Sequence, residues 1–153
     1  MELDTGSLAI FVGFAAADRV QAVLDAAGHG DLRFSHGYVF QHLIEGAPTI
    51  GELAESLGVT QQAASKAVTE LDGLGYTERF SDPLDARVRR VRLTDRGSEA
   101  VEIARRARTE LERDLAERLG PQRLAAARTA LEELLDELGG ADAVRRRNVR
   151  PPR

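Results

Sequence analysis

Four arginines fall within eight residues: Arg87, Arg89, Arg90 and Arg92 stand in the stretch 86–93, which holds no acidic residue. Like charges at this density repel one another and need an anionic partner. Arginine suits phosphate and a narrow minor groove. Its planar, weakly hydrated guanidinium offers two parallel donors, and A·T-rich sequence deepens the negative potential there. Asp85 lies two residues before Arg87 and is of the right type to hold that guanidinium by a bidentate bond. Arg87 is therefore the candidate for the groove, with Asp85 as its orienting partner and Arg89, Arg90 and Arg92 as phosphate ligands. The competing reading pairs these arginines with acids on neighbouring helices, a gain that is small for surface ion pairs.

A second set of polar residues lies upstream. Gln61, Gln62, Ser65, Lys66 and Thr69 share the free side of a helix that Thr60 opens. Glutamine pairs with the N6 and N7 of adenine, serine with several base edges, and lysine with guanine or phosphate. The free amides of a helix N-terminus add an anion site. Such a face taken alone is equally a solvated surface.

Other chemistries are poorly provided for. With no Cys, disulfides, thiolate zinc sites, Fe–S clusters and thiol redox sensing are excluded. There is no P-loop, no G-x-G-x-x-G, no H-E-x-x-H and no nucleophile–base pair, so an enzyme is not expected. His29, His36 and His42 lack an acidic partner at ligand spacing, so no metal site is expected, and nothing points to a cofactor.

The elements that position these residues follow from periodicity and punctuation. A helix is predicted over 7–27, capped by Ser7, with Leu8, Phe11, Val12, Ala15, Val20, Val23, Leu24 and Ala27 as its apolar stripe. A second helix spans 35–45. Thr49 caps a third over 50–57, which Gly58 ends. Thr60 caps a fourth to about residue 74, buried through Ala64, Ala67 or Val68, Leu71 and Leu74. The period then changes: strands are predicted at 76–81 and 88–93, joined by the turn cluster 82–85. Thr94 caps a long helix to about 119 with Val101, Ala104, Arg108, Leu111, Leu115 and Leu119 as its stripe. A last helix follows Gly120 and Pro121. In it Leu124, Leu131 and Leu138 recur every seven residues, with Ala127 and Leu134 between them.

The order from 49 to 93 is helix, turn, helix, strand, basic turn, strand: a helix-turn-helix followed by a wing. The fold class is mostly α, with a two-stranded wing and a helical dimerisation domain built from both chain ends. Four segments result: 1–34 as the first dimerisation helix, 35–97 as the winged DNA-binding domain, 98–140 as the later dimerisation helices, and 141–153 as a basic, disordered tail. Two amphipathic helices over 94–138 cannot bury their stripes on a lobe of about 60 residues, and a second copy of the chain is the simplest cover.

The net charge of −4 argues against nucleic acid only on average. The stretch 1–59 carries 8 acidic and 2 basic residues, whereas 60–97 carries 6 and 7. The acid thus lies away from the proposed reading elements. No membrane or export segment is expected: the longest apolar run is ten residues, and Glu2 and Asp4 replace the basic start of a signal peptide. A cytoplasmic protein is the expectation.

The wing run Asp82, Pro83, Leu84, Asp85, Ala86, Arg87, continuing to Leu93, Thr94 and Gly97, resembles the wing signature of the MarR (multiple antibiotic resistance regulator) family of bacterial transcription factors. The stretch from Gly58 to Lys66 resembles that family's turn and recognition helix. Ala86 stands where many members carry a charged or polar residue. The resemblance implies an obligate homodimer on double-stranded, pseudo-palindromic operator DNA, with Arg87 in the minor groove and Asp85 orienting it. It implies a dimer interface drawing on Leu8, Phe11, Leu124, Leu131, Leu134 and Leu138. It also implies repression relieved by a small aromatic ligand, in a cleft lined by Phe11, Phe14, His36, Tyr38, Phe40, Leu111 and Leu115. A winged-helix module that binds protein instead of specific DNA is the alternative.

Overall fold

The computed structural model describes residues 2–146 and 148–150. It is mostly helical, with α1 (Thr5–Ala26), α2 (His36–Leu43), α3 (Ile50–Leu57), α4 (Gln61–Gly73), β1 (Thr77–Ser81), β2 (Arg89–Leu93), α5 (Asp95–Leu119), α6 (Pro121–Glu137) and α7 (Ala141–Arg145). The chain divides into two units. One comprises 31–101 and 143–153, the other 1–30 and 102–142.

The first unit is the winged lobe. Thr49 and Glu52 close a reciprocal capping box at α3, satisfying two orphan donors at its start. Gly58 ends α3 with φ of 67°, a left-handed backbone that glycine adopts without strain. Thr60 then caps α4 by accepting the amide of Ala63 at 3.1 Å. The lobe's core joins Val39, Phe40 and Leu43 of α2, Leu53, Ala54 and Leu57 of α3, Ala64, Val68 and Leu71 of α4, and Tyr76 and Val91. Ala54 is buried as the tight α3–α4 packing requires. The strands pair antiparallel with Thr77 opposite Leu93, Arg79 opposite Val91 and Ser81 opposite Arg89. A third segment joins them: the Val91 amide donates to Pro48 O at 2.9 Å, and Thr49 bridges to Arg90.

The second unit is helical. Arg19 of α1 pairs with Asp114 of α5 at 3.8 Å, and Arg128 of α6 pairs with Glu112 of α5. Much apolar surface stays uncovered: Leu8, Phe11, Val12 and Phe14 of α1 are all more than half exposed, as is Leu138, and no residue of α6 is buried.

Several expectations need correction. Asp4, not Ser7, caps α1, accepting the Ser7 amide at 2.9 Å, so the helix begins two residues earlier. The second helix is shorter than the expected 35–45, spanning His36–Leu43. In α5 the buried row is Gly97, Ala100, Ile103 and Ala107. The larger apolar residues Leu111 and Leu115 are only half-buried, so residue size is a poor guide to the packed face. By length and composition alone α1 is apolar enough to cross a membrane, a test that the core helix of a soluble protein also passes. The described residues between 141 and 150 are not structureless: α7 forms, and Asn148 returns its amide to Ala143 O at 2.8 Å. Arg147 and residues 151–153 lie outside the described residues.

Candidate nucleic-acid interface

The outer face of α4 carries the residues expected to read bases. Gln61, Gln62 and Lys66 are exposed, and their side chains have no hydrogen bond or ion pair among the described residues. Gly51 lets Gln61 lie close: a Cβ there would sit 3.4 Å from its Nε2. Ser65 is half-buried. Thr69 is exposed, but its Oγ1 accepts from Arg79 Nη2 at 2.8 Å, which ties it to the wing.

Arg79, on β1, is a residue that sequence reasoning misses. Its guanidinium also donates to Asp72 Oδ2 at 3.0 Å and to Ser65 O at 3.3 Å. One side chain thus stitches the first wing strand along α4. Its isolated position in a predicted strand gives no signal of this.

The wing arginines divide into two classes. Arg90 donates to Asp82 and reaches Ala47 O at 3.0 Å and Glu52 Oε2 at 3.4 Å. It is half-buried and bonds the wing to the start of α3, so the guanidinium expected to meet a phosphate already has partners within the lobe. The same bonds hold the Asp82 carboxyl below its usual range, first through Arg90 and then through the Leu84 amide. Arg92 bonds Glu78 at 2.7 Å and lies 4.6 Å over the Phe80 ring, a cation–π contact. Arg89 is exposed, and its guanidinium bonds only Ser81 Oγ among the described residues, at 3.2 Å. Arg87 is exposed and its guanidinium has no partner among the described residues.

Asp85 does not grip the Arg87 guanidinium as expected. Its Oδ1 accepts the Arg87 backbone amide at 3.0 Å, and Asp82 Oδ1 accepts the Leu84 amide at 2.7 Å. Two Asx turns in succession therefore shape the tip. Asp85 orients Arg87 through the main chain and leaves its guanidinium outward.

Behind the interface lie two polar clusters. Tyr76 is fully buried; its hydroxyl donates to Asp31 and accepts from Arg96 at 2.9 Å, while Arg96 reaches Asp31 at 3.1 Å and sits 4.6 Å over the Tyr76 ring. The Tyr76 bond, the largest cause, draws the Asp31 carboxyl down, while burial pushes the Tyr76 phenol up. In the other cluster His36 is buried, and its Nδ1 accepts the Arg33 amide at 3.1 Å. Its Nε2 lies 3.7 Å from Glu70 of α4, which also holds Arg33.

Of the residues expected to line a ligand cleft, His36 and Phe40 are packed inside the winged lobe, with Phe40 6.1 Å from the Tyr76 ring. Tyr38 is half-buried beside Phe34. Phe11, Phe14, Leu111 and Leu115 belong to the helical unit. No group of His, Asp and Glu placed to hold a metal occurs among the described residues.

His36 and His42 are expected to make the fold acid-sensitive. Burial, the largest cause, lowers the pKa of His36 from its usual 6.5; Glu70 and Asp31 oppose this and Arg33 reinforces it. Burial alone lowers that of His42. A histidine with a depressed folded pKa binds more protons unfolded than folded, so stability is full above the unfolded value and falls as pH drops through it. The melting temperature is expected to hold above about pH 7.5 and decline towards pH 5, given a free-histidine pKa near 6.5. His36→Gln with His42→Gln should flatten that decline; an undiminished slope in circular dichroism melts would assign it elsewhere.

A sequence model of the MarR family matches residues 31–88, the heart of the winged lobe. An HTH-type transcriptional regulator of Mycobacterium tuberculosis is 39% identical over 75 residues, covering 49% of this chain and 50% of the relative. The chain spans about half the length of the curated relatives it matches. Apo MarR from E. coli superposes with a TM-score of 0.63 at 22% identity, covering 88% of this chain and 99% of that one. A mutant S. aureus MepR bound to an oligodeoxyribonucleotide gives 0.61 at 21% identity, covering 90% and 99%. These likenesses show the fold.

Proposed function

We propose that this chain, whose winged lobe matches a sequence model of the MarR family over residues 31–88, is a homodimeric MarR-type regulator that binds operator DNA. One observation carries the reading. The side chains of Gln61, Gln62 and Lys66 on α4 and of Arg87 at the wing tip are exposed without a partner among the described residues, whereas Arg79 and Arg90 behind them are bonded into the lobe. Gln61, Gln62, Ser65 and Lys66 would meet a major groove, Arg87 the adjacent minor groove, and Arg89 a phosphate. Thr60 would set the helix end, and Thr69 would contribute by holding Arg79.

The exposed apolar surfaces of α1 and α6 support dimerisation. Leu8, Phe11, Leu131, Leu134 and Leu138 are all exposed large apolar residues of the helical unit, and grouped apolar exposure of this kind marks an interaction surface. A second copy would bury it, with half-buried Leu124 at the margin. Two lobes on a two-fold axis would read half-sites about one helical turn apart. On this reading the protein works in the bacterial cytoplasm on the nucleoid. Repression, relieved by an aromatic ligand near Phe11, Phe14, Tyr38, Leu111 and Leu115, is the family-typical output and belongs to the same proposal.

The test is a salt series. Purified protein is titrated against a pool of duplex DNA, the bound fraction is sequenced, and the selected duplex is measured by fluorescence anisotropy. Specific binding with a steep salt slope is expected, since each neutralised phosphate contributes about −0.9 to the log–log slope. Lys66→Ala should make it shallower by about 0.9 if the ammonium neutralises one phosphate. An unchanged slope with altered base preference would make Lys66 a base reader. Failure to select any duplex would favour the protein-binding alternative.

A further inference from the structure

We propose that the basic C-terminal segment is a third DNA-facing element of the winged lobe, in which Arg150 binds a phosphate beside the recognition helix and Arg146 adds charge to the same segment. This rests on the DNA-binding reading above. The segment from residue 143 onward groups with the winged lobe, although in sequence it follows the helices of the other unit.

Its attachment is built for position. Gln41 of α2 meets Val149 at both main-chain polar groups: Nε2 donates to Val149 O at 2.7 Å, and the Val149 amide donates to Oε1 at 3.3 Å. A carboxamide that pairs with a backbone in this way fixes the segment's place irrespective of side chain. The next residue, Arg150, then reaches the last turn of α3. Its Nε donates to Ser56 O at 3.3 Å and its Nη2 to Glu55 O at 3.4 Å. These carbonyls form the negative end of the helix, where a cation is favoured.

The seat is Gly58. A Cβ at that position would lie 3.0 Å from Arg150 Cδ and 3.1 Å from its Nε and Cζ. The glycine that turns the chain from α3 towards α4 therefore also leaves room for the arginine.

Charge identifies the occupant. Arg150 bonds only to carbonyls and has no carboxylate partner among the described residues, so its positive charge is not neutralised. It is exposed, and these two bonds leave three of its five N–H donors available. Arg146 is exposed too, with no partner among the described residues. The seat precedes by two residues Thr60, which caps the end of α4 that would enter the groove. The anion available at that place is a phosphate on the rim of the groove.

The full chain is compared with Arg150→Gln, Arg146→Gln/Arg150→Gln, Arg150→Lys and Gln41→Ala on the duplex selected above, across a salt series, with circular dichroism melts run in parallel. The expected result in the glutamine variants is a log–log slope shallower by about 0.9 for each phosphate left unneutralised. Arg150→Lys should restore the slope. Gln41→Ala removes no charge yet should weaken binding, because the segment is no longer held in place. Unchanged affinity and slope in Arg150→Gln and Gln41→Ala would overturn the inference. So would tighter binding, which would make the segment a shield over the turn. Absence of duplex binding by the unaltered chain would defeat the DNA-binding reading itself, whereas normal binding with silent variants defeats only this inference.

Discussion

Alanine at Gly97 is expected to destabilise the winged lobe by about 3 kcal/mol or more, the upper range for overpacking a fixed site. A Cβ at Gly97 would lie 2.2 Å from the carbonyl oxygen of Tyr76 and 3.1 Å from Leu93 Cδ2. The first of these is main chain, and it has little freedom to move. Tyr76 O accepts the Thr94 amide at 3.0 Å. Thr94 in turn bonds Gly75 O at 2.6 Å and receives the Gly97 amide at 3.1 Å. The Tyr76 side chain is fully buried and clamped by Asp31 and Arg96. The backbone is thus pinned on both sides of the clash. Gly73 supplies the control. A Cβ there meets nothing within 4 Å, so Gly73→Ala is expected to be neutral or to stabilise by up to about 1 kcal/mol through the unfolded chain. Urea unfolding followed by circular dichroism separates the two. A Gly97→Ala midpoint equal to that of the unaltered chain would mean that α5 does not approach the strand as described.

The second large effect concerns DNA. Arg87→Ala is expected to weaken specific binding by about 1–3 kcal/mol, or roughly 5- to 150-fold, the scale of one good arginine contact. The argument is geometric. Arg87 projects from a tip shaped by two Asx turns and has nothing to hold it back. Arg92 has the same charge and stands five residues on, yet it is committed to Glu78 and Phe80. Arg92→Ala should therefore change affinity far less at the same salt concentration. Anisotropy titrations of both variants decide the matter. Equal losses would show that the wing acts through bulk charge, and an unaffected Arg87→Ala would remove the wing from the interface.

The helix-turn-helix and wing are legible in the sequence because punctuation there is dense. Thr49, Gly58, Thr60 and Gly75 mark their boundaries within a residue or two, and the switch from helical to strand periodicity is abrupt. The division among the wing arginines is not legible. Arg87, Arg89, Arg90 and Arg92 look alike in a string of letters. Only the cross-strand register, with Glu78 opposite Arg92 and Phe80 opposite Arg90, decides which are committed. Glu52 and Asp82, the acids that claim Arg90, lie 38 and 8 residues away. Arg79 escapes notice for the same reason, since its three partners lie on a different element. The face of α5 is hard to assign because close packing selects Gly97, Ala100 and Ala107, which a search for bulky stripes overlooks. The C-terminal segment reads as disordered by composition, and composition carries no information about a carboxamide such as Gln41 waiting on another helix.

The separation between arginines that hold and side chains that reach has a consequence for descent. Gln61, Gln62, Lys66 and Arg87 contribute no side-chain bond among the described residues, so their replacement is expected to leave the scaffold's stability nearly untouched. Duplicated copies of such a gene are free to drift at these positions and acquire new target sequences while still folding. Arg79, Arg90 and Arg96 have no such freedom, because each closes several bonds at once. Among descendants of one ancestor, variation should gather on the outer face of α4 and at the wing tip, and the framework behind them should change slowly.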